Sequence, residues 1–122
     1  MILGKVNANR EATLWLQVRG PAGQVQEIEA VIDTGFNGFL ILPPAVVATL
    51  GLIPLTRGRA VLANGREDVF AIYEVTVVWD GQPLTVEAGA LEATLVGMSL
   101  LYGQELRMYV VEEGQVSIAG LL

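Results

Sequence analysis

The stretch Ala30-Val31-Ile32-Asp33-Thr34-Gly35 is an apolar run that ends on one carboxylate and a glycine turn. An acid in that position costs several kcal/mol if it is buried without a partner. Such a cost calls for a compensating role, and the simplest one is chemistry. Immediately upstream, Leu14, Leu16 and Val18 occupy alternate positions of a β-favouring run over residues 13–18, the spacing of one strand face. Gly20-Pro21-Ala22-Gly23 breaks that run and residues 25–32 return from it, so the two runs predict a hairpin that delivers Asp33 inward.

Working outward, residues 2–6 read as a short strand and 39–42 as a buried one. Pro43-Pro44 stops the latter and opens a helix over 45–50, with Val46, Val47 and Leu50 inward and Gly51 as its left-handed stop,. Asn64-Gly65 centres a hairpin over 57–72, and Asp80-Gly81 turns a second one between 73–79 and 83–88,. Leu95-Val96-Gly97 is a short apolar strand ending in glycine, Met98 to Tyr102 a helical turn closed by Gly103, and 106–111 and 116–119 are the last strands. Asp68 and Asp80 both read as polar, turn-like positions. Trp15, Trp79, Met98, Leu100 and Leu101 read as core or interface residues.

Composition narrows the chemistry. With 122 residues the chain fits one domain, 1–122,. Its 52% apolar content against 16% charged residues leaves a lean polar surface, as expected of a chain that hides part of it between subunits,. A net charge of −6 argues against nucleic acid and anionic membranes as partners,. Neither cysteine nor histidine is present. Thiolate catalysis, a Ser-His-Asp triad and Cys or His metal ligands are therefore excluded, and acid–base work falls to carboxylates. No cofactor or metal is expected. The uncharged segment 34–56 is too broken by proline and glycine for a membrane helix, and the first residues hold no signal-like apolar run,. A soluble, cytoplasmic protein is the expectation.

The order hairpin, Asp33-Thr34-Gly35, flap-like hairpin at Asn64-Gly65, second hairpin at Asp80-Gly81, Leu95-Val96-Gly97, short helix and terminal strand resembles the retropepsin-like aspartic proteases over roughly residues 11–119,. The run Asp33-Thr34-Gly35-Phe36 looks like a bacterial variant of that family. The spacing agrees: Asn64 lies 16 residues before Asp80, and Gly97 lies 16 after Gly81. The resemblance implies an all-β, single-lobe fold with one or two short helices, closed by homodimerisation. It also implies an aspartic endopeptidase acting on peptide or protein substrates. Two carboxylates held about 3 Å apart share one proton, so that one takes a proton from water while the other donates to the substrate carbonyl. With no second Asp-Thr-Gly in the chain, the partner of Asp33 is Asp33 of a second copy on a two-fold axis.

By the same resemblance, Thr34 bonds across the axis, while Gly35 and Gly97 support the active-site turn. Phe36 and Asn37 face substrate, and Ala63, Asn64 and Gly65 form a flap that closes over it. Phe36 stands where relatives carry Ala or Ser, and it cannot donate a hydrogen bond to the carboxylate. The terminal segments 2–6 and 116–122 are candidates for an intersubunit sheet if their edges are unpaired. Two other readings stay open: a catalytically weak dimeric module of the same fold that binds peptide or protein, and a structural dimerisation or regulatory domain. At Asp33 itself, a turn-capping role through accepted backbone N–H bonds competes with catalysis.

Overall fold

A computed structural model describes residues 1–61 and 65–121. The elements are β1 (Ile2–Val6), β2 (Ala12–Arg19), β3 (Val25–Ile32), β4 (Leu40–Leu42), α1 (Pro44–Thr49) and β5 (Pro54–Val61). They are followed by β6 (Glu67–Trp79), β7 (Gln82–Ala90), β8 (Leu95–Val96), α2 (Met98–Leu101), β9 (Gln104–Met108) and β10 (Gln115–Gly120). The fold is mostly β with two short helices, as the sequence predicts.

Six strands close a mixed barrel. β2 pairs with β3, β3 with β8, β8 with β4, β4 with β7 and β7 with β6. Gln17 and Val18 of β2 then meet Val78 and Val77 of β6 to complete the ring. The β3–β8 and β4–β7 pairs are parallel and the others antiparallel. Alternation fills the interior: Leu14, Leu16 and Val18 of β2 meet Val75, Val77 and Trp79 of β6, with Leu40, Leu42 and Val96 beside them,. α1 covers one opening with Val46 and Val47, and Leu50 follows them into the core. Pro43 is extended and Pro44 opens this helix, while Gly51 stops it at φ +60°,. Asp80 (φ +49°) and Gly81 (φ +79°) both take the left-handed region required of a two-residue hairpin turn,. Among the described residues no helix is long and apolar enough to cross a membrane.

Three expectations change. Residues 57–72 and 73–79 do not end in a break: β6 runs through thirteen residues, pairing with β5 over its first half and with β7 over its second. No glycine, proline or Asx turn interrupts residues 67–79, so the strand bends rather than stops. Asp68 accordingly lies on β6, opposite Ala60, and not in a turn.

The terminal segments also differ. β1 pairs with β10 from Ile2↔Ile118 to Lys5↔Gln115, and the other edge of β10 pairs with β9. β1 meets β2 at Lys5↔Thr13 and Val6↔Ala12. The edges of β10 are therefore consumed within the chain, and the open end of this sheet is β9. Finally, Trp79, Leu100 and Leu101 are buried, but Trp15 is 63% exposed and Met98 is exposed as well. Trp15 sits on the outward phase of β2, between Leu14 and Leu16,.

Candidate active site

Asp33 follows the last residue of β3, and its backbone is held from below. Val31 and Ile32 run parallel to Leu95 and Val96 of β8, and the Asp33 N–H donates to the Val96 carbonyl at 2.9 Å. The chain then turns tightly: the Phe36 N–H donates to the Asp33 carbonyl (3.2 Å), and the Gly35 N–H donates to Asp33 Oδ1 (2.9 Å). The turn crosses the end of β8 and returns as β4 on its other side, where Leu40 and Ile41 pair with Val96 and Leu95. Four bonds lace it to the start of α2. Gly97, Met98 and Ser99 donate their N–H groups to the carbonyls of Phe39, Phe36 and Gly38, at 3.0, 2.8 and 3.1 Å. The Ser99 hydroxyl donates to the Asn37 carbonyl. Asn37 itself is exposed beside it.

Gly97 lies directly under this crossing. A Cβ there would overlap the Gly38 carbonyl oxygen and stand 2.8 Å from that of Phe36. Its φ of −104° is open to any residue, so glycine is required for space and not for conformation. Phe36 occupies that space. Its ring folds back against Gly38 and Gly97, with Cζ 2.5 Å from where a Gly38 Cβ would stand. Phe36 is thus a half-buried lid on the crossing, built against two missing side chains. Phe36→Ala is expected to lower stability by about 2 kcal/mol, less than for a fully buried phenylalanine. Urea unfolding measures this, and a cost near zero would show that the ring does not brace the loop.

The carboxylate of Asp33 is half-buried, which corrects the premise of a sealed, unpaired acid. One oxygen accepts from Gly35, and among the described residues the other has no donor. The turn-capping bond expected of an Asx turn is therefore present, and it leaves the second oxygen available. Thr34 beside it is exposed, and its hydroxyl makes no hydrogen bond among the described residues. Both residues line a cleft of about 490 Å³ whose walls are Val31, Leu95, Met108 and Val110. Arg10 and Glu11 complete its lining. Asp80, by contrast, is exposed and pairs with the Met1 amino group at 2.8 Å. No group of three or more acidic side chains that could hold a metal occurs among the described residues.

The expected flap tip falls partly outside the described residues, since Ala63 and Asn64 lie there. Gly65 has φ +81°, the left-handed value its turn requires. At the base of the β5–β6 hairpin, a second cleft of about 410 Å³ runs between Phe36 and Phe39 on one side and Phe70 and Ile72 on the other. Sequence reading missed Phe70 and Ile72. The signal was two strand glycines, Gly58 and Gly89: a Cβ at either would come 2.8 Å from the Phe70 ring. Glycine inside a strand marks a close approach, and here the approaching group is that ring.

A six-stranded mixed barrel with an Asp-Thr-Gly turn crossing over an apolar-apolar-glycine strand defines a single-lobe, retropepsin-like fold. Among solved structures the chain is similar to EIAV protease complexed with the inhibitor HBY-793. The TM-score is 0.60 at 16% sequence identity, covering 78% of this chain and 88% of that one. At that identity the likeness concerns the fold. No family model matches the sequence, and no curated protein matches it.

Proposed function

We propose that the chain is an aspartic endopeptidase that works as a homodimer, with Asp33 of each copy supplying half of the catalytic pair. The observation that carries this reading is the presentation of Asp33. Its backbone is clamped to Val96, one oxygen is held by Gly35, and the other is open to a cleft at the mouth of a retropepsin-like barrel. Such a group is positioned and only half-satisfied, as a general acid or base must be. In the pair, the ionised carboxyl removes a proton from the bound water as the water oxygen attacks the peptide carbonyl carbon. The protonated carboxyl donates its proton to the carbonyl oxygen. Collapse of the tetrahedral species breaks the C–N bond, and the amine leaves with a proton from the pair.

The apolar cleft lined by Phe36, Phe39, Phe70 and Ile72 fits the side chains of an extended substrate, and the β5–β6 hairpin beside it serves as the flap,. The test is cleavage of a peptide library by the wild type and by Asp33→Asn at several pH values, alongside sedimentation. A wild type that cleaves nothing at any pH ends the peptidase reading. If it still retains peptides, the fold serves as a binding module instead.

A further inference from the structure

The strand β9 ends the ten-stranded sheet with one edge bare among the described residues. The Tyr109 N–H donates to the Gln115 carbonyl, and the register with β10 sums residue for residue from Met108↔Val116 to Gln104↔Gly120. In an antiparallel ladder, bonded residues alternate. Tyr109, Arg107 and Glu105 therefore bond toward β10, and the main-chain groups of Gln104, Leu106 and Met108 point out of the bare edge. Glu105 and Arg107 lie on the exposed face, 2.9 Å apart as an ion pair, and the Leu106 side chain packs against the core on the other face. Beyond the strand, Tyr109, Val110 and Val111 are 63%, 69% and 65% exposed. Met108 and Val110 share the wall of the cleft that holds Asp33 and Thr34.

We infer that a second copy of this chain docks on the β9 edge, antiparallel about a two-fold axis at Leu106. The charge pattern selects that register. Centred on Leu106, Glu105 of each copy faces Arg107 of the other, and the outward main-chain groups of Gln104, Leu106 and Met108 meet one another. Centred on Glu105 or on Arg107, like charges face each other, which is unfavourable. Both termini then stay within their own subunit, consistent with β10 having no free edge. The sheet continues across the axis, and the partner covers Met108 and the apolar segment that follows it, next to the Asp33 turn. The inference rests on the proposed two-copy site for its functional meaning, but the geometry of β9 stands by itself.

Charge exchange tests it. Glu105→Arg and Arg107→Glu each place like charges opposite one another twice per dimer, and each is expected to raise the dimer dissociation constant about tenfold in sedimentation equilibrium. The double exchange restores opposite charges and is expected to return it to within about threefold of wild type. The wild-type chain has no cysteine, so the pair Glu105→Cys with Arg107→Cys is expected to give a covalent dimer on oxidation. A monomeric wild type, single variants as tightly associated as wild type, a double exchange as weak as the singles, or a cysteine pair that does not cross-link would each overturn the inference. Peptide cleavage is measured on the same samples. A β9-paired dimer that cleaves nothing removes the peptidase reading alone, and an active dimer indifferent to the exchange removes only the interface.

Discussion

Gly97→Ala is expected to unfold the protein or to destabilise it by roughly 3–5 kcal/mol, the range of severe overpacking. One methyl group does this because its position is already occupied. The Gly38 and Phe36 carbonyl oxygens and the Phe36 ring converge on it. The two carbonyls cannot retreat, because Met98 and Ser99 hold them through their N–H groups. Relief requires moving the whole crossing, and with it the turn that presents Asp33. Gly81→Ala is the contrasting control. It lies in open space but at φ +79°, and it should cost only about 1–2 kcal/mol through backbone strain. Urea unfolding of both variants separates the two reasons for glycine. Equal losses would mean that crowding at Gly97 does not govern the crossing.

Asp33→Asn is expected to lower kcat/KM for peptide cleavage by at least about 10³-fold, within the range that general acid–base groups supply. The substitution is close to isosteric, and an Asn Oδ1 still accepts the Gly35 N–H,. The turn therefore survives, and melting temperature and sedimentation should remain near wild type. Loss of rate without loss of structure is what distinguishes a chemical role from turn capping. A variant that cleaves within tenfold of wild type would sink the catalytic assignment, as would one that fails only because it no longer folds.

The alternation Leu14/Leu16/Val18, the Pro43-Pro44 helix start, the Gly51 stop and the Asp80-Gly81 turn are all local signals. Each reappears where the sequence places it, because periodicity and φ preference act within a few residues. The order of those signals around Asp33-Thr34-Gly35 was enough to read the all-β, single-lobe fold. What local signals do not carry is which surfaces meet. The neighbourhood of Phe36 was illegible because its space comes from Gly38 and Gly97, sixty residues apart along the chain, and the cleft opposite it is shaped by Phe70 over Gly58 and Gly89.

The apolar run from Ala30 to Ile32 and the carboxylate that follows it are thus properties of the sequence, as is the need for some partner to that carboxylate. The degree of exposure of Asp33, its bond from Gly35 and its anchoring on Val96 were decided by the tertiary structure. So was the exhaustion of the β10 edges, which leaves β9 open. The physical reason is the range of the forces involved. Backbone preference and hydrophobic periodicity are set by neighbours in the chain, whereas strand pairing and close packing join residues that only the closed barrel brings together.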